Sequence, residues 1–408
     1  MSNIKKNFIW NMIGSVVNSF TSLIFLIIVT RINGVEQAGI FTFAFSLACL
    51  FQVVSNYSGR TFQVTNLDKN LSDSSFFYHR IFSCVFMWLL LLVYLFIKSY
   101  SLIKNEIIIL FVIFRTIESF SEVLYATIQK NNELYKVGIS LFLKGILGIV
   151  FFFIINYLSG NMIFAIIALI IVNLLIFIIY DIKNFNKHYE KKIFNFSNIK
   201  LIFKTGFFVF LFSFLTQYIL NAPKYAIDGL MADEYQTIYG IISMPATFMI
   251  LCSQLLIQPF LNMMTSFLEN KKYNELFRLV FKICLIVFGI GLIANLCCYL
   301  IGIPILEFVY GISLDGYLYP LLIIIFGAIF CGISFIVSNC LIAMRKTFIQ
   351  VILYVVISIL ITIISNKLIV INGIMGASIA YASAMFILGF LFFVVFYFYL
   401  KKLKCDTR

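Results

Sequence analysis

Charged residues are scarce in this sequence. Aspartate, glutamate, lysine and arginine make up 12% of the 408 residues, whereas 62% are hydrophobic and the mean hydropathy is +1.04. A soluble globular chain is about half apolar and about a quarter charged. A chain with so little charge cannot cover a core with a water-soluble surface, so the composition predicts a polytopic membrane protein.

Several chemical motifs are also missing. The sequence has no Gly-rich phosphate-binding loop, no Asp-x-Asp pair of the kind that binds a sugar-nucleotide metal, and no cluster of cysteine and histidine. The two histidines, His79 and His188, stand at the edges of apolar runs, where we expect solvated side chains. All of the nine cysteines except Cys405 lie inside apolar runs and are interpreted as small core residues. These absences argue against an ATP-driven pump and a membrane glycosyltransferase or polymerase, and we predict no catalytic residue and no metal site.

Long apolar runs fill most of the chain. Each is about 17–27 residues long, which is the length that an α-helix needs to cross a bilayer. The runs predict twelve membrane-spanning helices at 8–30, 38–58, 80–97, 107–129, 137–157, 161–180, 201–221, 238–262, 280–301, 317–341, 347–366 and 374–400. In the eighth of these, Pro245 and Pro259 predict kinks.

The basic residues indicate how the helices are oriented. A net charge of +13 would suggest a nucleic-acid partner in a soluble chain, but here the surplus lies in the loops, so no nucleic acid is expected. If the N-terminus is cytoplasmic, few basic residues face outward, namely Arg31, Lys98, Lys104, Lys224 and Lys367. Because nearly all the others face inward, both termini are predicted to be cytoplasmic.

The basic hydrophilic segment 184–200 lies halfway along the chain. It predicts a cytoplasmic linker between an N-terminal six-helix bundle at 1–183 and a C-terminal six-helix bundle at 201–408. Because each half would contain an even number of spans, both halves would have the same orientation in the membrane.

The fourth predicted span carries three charges in an otherwise apolar run. Arg115, Glu118 and Glu122 are spaced i, i+3 and i+7, so they lie on one stripe of a helix. The fifth span adds Lys144, which an antiparallel pair of helices would place at the depth of Glu122. Each charge at mid-bilayer costs about 2.5–3.5 kcal/mol on insertion scales, so the four predict a shared buried network. We expect Glu122 to pair with Lys144 and Arg115 with Glu118.

Polar residues in the first and seventh spans are candidates for a substrate cavity. Both spans carry a polar stripe, and such stripes either line a cavity or form helix–helix contacts. Arg31, Arg60 and Lys224 flank these spans and predict a net cationic cavity, although positive-inside bias and headgroup contacts would also explain them. The predicted substrate-binding residues are Arg31, Arg60, Lys224, Asn11, Asn18, Gln217 and Asn221.

Four segments resemble bacterial polysaccharide flippases. The opening Lys-Asn-Phe-Ile-Trp-Asn and the later Val-Thr-Arg-Ile-Asn-Gly-Val-Glu-Gln-Ala-Gly-Ile-Phe are similar to the start of that family. The run Arg-Thr-Ile-Glu-Ser-Phe-Ser-Glu-Val-Leu-Tyr-Ala-Thr-Ile-Gln-Lys resembles its fourth helix. Asn-Ala-Pro-Lys-Tyr-Ala-Ile-Asp resembles the turn after its seventh helix, where arginine is commoner than Lys224. The family is the polysaccharide and O-antigen transporter branch of the MOP superfamily, which includes the MATE exporters.

This resemblance implies an all-α protein of two bundles in a V-shaped arrangement with a central cavity and alternating access. It implies a transporter of the bacterial cytoplasmic membrane that moves an oligosaccharide linked to a polyprenyl diphosphate of the undecaprenyl type from the inner to the outer leaflet. The implied partners are this lipid-linked oligosaccharide and the bilayer, and the oligomeric state stays open. No cofactor is expected, and the energy source stays open, with coupling to a proton or sodium gradient as one option. The alternatives are a cation-coupled MATE-like exporter of small molecules and a membrane enzyme such as a polymerase.

Overall fold

The structure, a computed structural model, describes residues 3–65, 71–189 and 194–406, and the regular structure within these ranges is helical. The first helices are α1 (Asn3–Asn33), α2 (Val35–Asn56), α3 (Gly59–Val64), α4 (Asp73–Lys98), α5 (Leu102–Lys130), α6 (Leu134–Ser159) and α7 (Met162–Ile176). A π-helical turn at Phe177–Ile182 joins α7 to the short α8 (Lys183–Phe185). The remaining helices are α9 (Phe196–Leu230), α10 (Asp233–Ile242), α11 (Met244–Ile257), α12 (Leu261–Glu269), α13 (Tyr273–Tyr310), α14 (Leu318–Ala343) and α15 (Thr347–Asp406).

The predicted fold class, an all-α protein with twelve membrane-spanning helices, is confirmed. Ten helical segments are long and apolar enough to cross a membrane, and the last of them, α15, is interrupted at Gly373 and holds two spans. Helix α5 is not among the ten because its middle carries three charges, yet it is 29 residues long and supplies the twelfth span.

The eighth predicted span is broken where its prolines lie. Pro245 stands in the first turn of α11, directly after the break that ends α10. Pro259 lies in a 3₁₀ turn, Gln258–Phe260, between α11 and α12. A proline lacks the backbone N–H that an α-helix interior needs, and the two predicted kinks are confirmed.

The chain divides into two compact units, Met1–Gln217 and Tyr218–Arg408. The division falls within α9, so the first part of that helix packs with the first unit. The division between the units therefore lies beyond the linker predicted at 184–200. Residues 190–193 of that linker are outside the described ranges. The linker itself stays a prediction.

In the first unit, α1 packs against α6 at very short range. A Cβ atom built on Gly138 of α6 would lie 2.2 Å from the carbonyl oxygen of Trp10, so only glycine allows this approach of the two backbones. At the start of α6, the side chain of Asn7 donates to the carbonyl oxygen of Asn132 at 2.7 Å and accepts from the backbone N–H of Tyr135 at 2.9 Å. Asn7 in the polar stripe of α1 therefore makes a helix–helix contact.

In the second unit, α14 packs closely on the second half of α15. A Cβ atom on Gly327 would lie 2.8 Å from the Cα atom of Ala382. At the other end of α14, Ser338 donates to the side-chain oxygen of the buried Gln350 at 2.6 Å. Small residues at such contacts let membrane helices gain dispersion energy from backbone proximity.

Candidate functional site

A cluster of charges lies in the first unit around α5. Arg115 donates to Glu118 at 2.5 Å, as the i, i+3 spacing predicted, and both side chains are mostly buried. Gln52 of α2 donates to the same carboxylate at 3.2 Å, and Arg115 also reaches the sulfur of Cys49 at 3.0 Å. Glu118 is therefore held by two donors from two helices, and this predicted pair is confirmed.

Lys144 of α6 pairs with Asp181 rather than with Glu122. Its Nζ lies 2.6 Å from Oδ2 of Asp181, and the two side chains are only 5% and 1% exposed. The predicted pairing with Glu122 is wrong because equal depth in the membrane does not fix the direction in which a side chain points. The ammonium group of Lys144 instead contacts the π-helical turn that carries Asp181.

Asp181 was missed because it follows directly on the apolar run of the sixth span, where it looked like the first residue of a loop. The π turn at Phe177–Ile182 continues the helix past that point, and it shifts the side chains that follow relative to an α-helical register. There Asp181 accepts from Ser140 at 2.5 Å and from the hydroxyl of Tyr125 at 3.3 Å. One sequence signal could have identified Asp181. It is an acidic residue at the end of an apolar run, in a chain whose neighbouring span contains a lysine.

Glu122 has Arg60 as its ion-pair partner. The distance from Nε of Arg60 to Oε2 of Glu122 is 3.7 Å, too long for a good hydrogen bond. Arg60 lies in α3, the short helix that follows the break in α2 at Tyr57 and Ser58. Tyr57 has a φ of 49°, in the left-handed region, and this turn brings α3 back toward α5.

The charges surround a polar cavity of about 150 Å³ within the first unit. This volume has room for several water molecules or one small polar group, but not for an oligosaccharide. The cavity is lined by Asn18, Gln52, Arg115, Glu118, Ser121, Glu122, Tyr125, Leu141 and Lys144. It therefore presents two cations, two carboxylates and several neutral hydrogen-bonding groups to whatever fills it.

A buried arginine lies next to this cluster. Arg80 of α4 is 3% exposed and donates to the carbonyl oxygen of Ser55 at 2.5 Å, to Asn56 at 2.8 Å and to Ser119 at 3.2 Å. Two of these partners are the last residues of α2, where free carbonyl groups carry the negative end of the helix dipole, and the third, Ser119, lies on α5. Arg80 thus stabilises the point at which α2 breaks, a role that the sequence did not indicate.

The histidines are not solvated as expected. His79 is 2% exposed, and its ring packs on those of Tyr57 and Phe203. His188 is partly buried and lies 2.8 Å from Glu133 in the loop before α6. Burial alone would raise the pKa of Glu133, but hydrogen bonds from Lys136 and His188 lower this pKa below its usual value.

The predicted substrate residues are dispersed in the structure. Asn18 lines the polar cavity and Arg60 borders it through Glu122, whereas Arg31 is exposed in the last turn of α1. Asn11 is half-buried near the contact between α1 and α6, and its side-chain oxygen has no hydrogen-bond partner among the described residues. The structure gathers Asn18 and Arg60 at the cluster, and Asn11 and Arg31 lie away from it along α1.

The other three predicted residues lie on α9. Gln217, Asn221 and Lys224 are half-buried and spaced i, i+4 and i+7, so they share one face of that helix. The backbone carbonyl of Lys224 accepts a hydrogen bond from Gln236 at 2.9 Å. Their role in binding substrate stays a prediction.

Comparisons with known proteins extend over the whole chain, although no protein-family profile matches it. The chain is 22% identical over 403 residues to the capsular polysaccharide biosynthesis protein CapF of Staphylococcus aureus, covering 98% of this chain and 99% of that protein. It also superposes on an inward-facing MATE multidrug resistance transporter of the MOP superfamily, with a TM-score of 0.74, 13% identity and 100% of both chains covered.

The lipid II flippase MurJ, in an inward closed conformation, has a similar structure. Its TM-score is 0.72 and its identity is 16%, with 96% of this chain and 87% of that one covered. At such identities the superpositions establish the fold, which is the one that the sequence resemblance implied.

Proposed function

We propose that this chain is a membrane transporter of the MOP superfamily and, within it, a flippase for a lipid-linked oligosaccharide. The observation that carries the proposal is the end-to-end similarity to a capsular polysaccharide biosynthesis protein. The similarity in fold to a lipid II flippase supports the proposal that the cargo is a lipid-linked saccharide. The cargo would be an oligosaccharide on a polyprenyl diphosphate of the undecaprenyl type, moved from the cytoplasmic to the outer leaflet.

The charges of the first unit suit an anionic headgroup. A diphosphate needs cationic or amide donors in a site that water can enter. Arg115 and Lys144 face the polar cavity and Arg60 borders it. The cavity is far too small for the glycan. In this proposal it therefore binds charged groups of the cargo, and the sugars do not enter it.

A cation-coupled MATE-like exporter of small molecules is the second candidate. The similarity in fold to a multidrug resistance transporter favours it, and so do Glu118 and Glu122 in the cavity. However, Glu118 is already neutralised by Arg115, and cations border the cavity in at least equal number.

Reconstituted protein can distinguish the two candidates. In proteoliposomes containing a fluorescent undecaprenyl diphosphate that carries one N-acetylglucosamine, we expect the chain to increase flipping between leaflets, measured by dithionite quenching. We expect no transport of ethidium by the same vesicles. Ethidium transport without lipid flipping would overturn the flippase proposal in favour of the exporter.

We also propose that the protein resides in the bacterial cytoplasmic membrane with both termini in the cytoplasm. Cysteines at Asn186 and Asn270 should be shielded from an impermeant thiol reagent in intact cells, whereas one at Asn372 should react, because basic loops stay inside. All three positions are exposed. The background should carry serine at the exposed Cys297 and Cys405. Labelling of Asn186→Cys from outside would contradict this orientation.

The predicted cations can be tested in the same vesicles. Arg31→Gln, Arg60→Gln and Lys224→Gln should each lower the flipping rate by about tenfold, because a hydrogen bond between charged groups contributes about 1.5–3 kcal/mol. The amount of folded protein should not change. Lys98→Gln, at the exposed end of α4, is the matched control. Normal flipping by all three variants would show that these side chains do not bind substrate.

A further inference from the structure

The carboxylates of the charge cluster differ in how firmly they are held. Glu118 accepts from Arg115 at 2.5 Å and from Gln52 at 3.2 Å. Asp181 accepts from Lys144 at 2.6 Å and from Ser140 at 2.5 Å. Protonating either carboxylate would break short charge-assisted bonds, so both are suited to permanent pairing.

Glu122 is held much more loosely. Among the described residues its one ion-pair contact is with Arg60, at 3.7 Å, and its side chain is 28% exposed. It also lines the polar cavity, which water can occupy. Of the three carboxylates, Glu122 is therefore the one that can gain or lose a proton with the least disturbance of its neighbours.

Arg60 has unused donor capacity. Its Nη1 atom is buried and has no hydrogen-bond partner within the described part of the chain, and its Nε is too far from Glu122 for a good hydrogen bond. A guanidinium has five N–H donors arranged to bind an anion with two oxygens. The structure thus places a poorly satisfied arginine beside a weakly held carboxylate.

We propose that Arg60 and Glu122 form an exchange site, in which a phosphate group of the cargo takes Arg60 from Glu122 and the released carboxylate takes up a proton. This inference rests on the proposed function, because it assumes a cargo with a diphosphate. Arg60 stays cationic throughout. The proton comes from the buffered solution through the water of the cavity and binds one carboxylate oxygen of Glu122, so binding one phosphate consumes about one proton.

The surrounding charges favour this exchange only when the phosphate is present. Without it, Glu122 shares the cavity with Arg115, Glu118 and Lys144, and its nearest cation is Arg60 at 3.7 Å. A phosphate bound to Arg60 neutralises the cation nearest to Glu122 and places another anion beside this carboxylate. Two anions at such short range favour protonation of one of them. The titratable or charged groups that share the cavity or lie within electrostatic range are Arg60, Arg80, Arg115, Glu118, Tyr125 and Lys144, with Asp181 behind Lys144.

The experiment measures proton uptake when the full chain binds undecaprenyl diphosphate in detergent micelles. Calorimetric titrations in two buffers of different ionisation enthalpy give the number of protons taken up, between pH 7 and pH 8.5. We expect about one proton per bound diphosphate for the wild type, with affinity falling by at most about tenfold per pH unit as pH rises. Glu122→Gln should bind at least as tightly but lose this proton, because the amide cannot titrate.

Two further variants complete the test. Glu106→Gln, at an exposed position on the same helix, should keep the wild-type proton count. Arg60→Gln should lose most of the binding. Equal proton uptake by the wild type and Glu122→Gln would overturn the exchange site, and so would undecaprenyl diphosphate that does not bind the wild type. The proposed function has its own test: it would be wrong if the protein did not increase lipid flipping in proteoliposomes.

Discussion

Replacing Lys144 by methionine should destabilise the protein by about 3–5 kcal/mol, because it leaves Asp181 as an unpaired charge at a buried position. Lys144 lies 2.6 Å from Asp181, which is 1% exposed, and without it the carboxylate keeps, among the described residues, only the neutral donors Ser140 and Tyr125. Asp181→Asn should be similarly harmful, since it leaves the ammonium group of Lys144 buried without a counter-charge. Both effects should appear as a lower midpoint of thermal unfolding in detergent and a smaller monodisperse peak in size-exclusion chromatography.

The double variant Lys144→Met/Asp181→Asn should recover most of the stability, because neither charge then remains. Replacing a whole buried pair is often nearly neutral, whereas removing one member is not. Lys183→Met, at an exposed position two residues beyond Asp181, is the matched control and should behave like the wild type. If both single variants were as stable as the wild type, the pair would not stabilise the fold.

The same double variant separates structure from transport. Flipping at the wild-type rate would mean that Lys144 and Asp181 only join α6 to the π turn. Recovery of folded protein without recovery of flipping would mean that the two charges take part in the transport cycle. The second result would extend the functional site from Glu122 across the cavity to Lys144.

Gly138→Ala should strongly destabilise the protein, although it adds only a single methyl group. The added Cβ would meet the carbonyl oxygen of Trp10 at 2.2 Å and the backbone nitrogen of Asn11 at 2.5 Å. Backbone atoms of α1 cannot rotate away as a side chain could, so α1 and α6 must separate. Overpacking a tight contact costs about 1–3 kcal/mol, and separation of the helices would also weaken the bonds that Asn7 makes with the start of α6.

Gly289→Ala is the control for this prediction. Gly289 lies in the middle of α13, and a Cβ there has no atom within 4 Å. Because alanine favours a helix over glycine by about 1 kcal/mol, this variant should be as stable as the wild type or more so. A thermal midpoint for Gly138→Ala equal to that of Gly289→Ala would show that α1 and α6 have room to adjust.

The sequence determined the architecture to a large extent. Apolar runs of bilayer length mark the twelve helices because burying backbone polar groups in lipid requires helices of that length. The pair of Arg115 and Glu118 was also predictable, because residues at i and i+3 are neighbours on any helix. The kinks at Pro245 and Pro259 follow from the missing N–H of proline. Each of these features depends on residues that are close together in the chain.

Tertiary structure decided which charges meet. Hydropathy fixes the depth of a side chain in the membrane but not its direction around the helix axis, so Glu122 and Lys144 could share a depth and still bind different partners. Lys144 pairs with Asp181 because a π turn extends α7 beyond its apolar run. Glu122 lies opposite Arg60 because α2 breaks at Tyr57 and brings α3 against α5. Both partners are distant in sequence and come from the polar ends of spans, where composition alone cannot distinguish a buried charge from a solvated one.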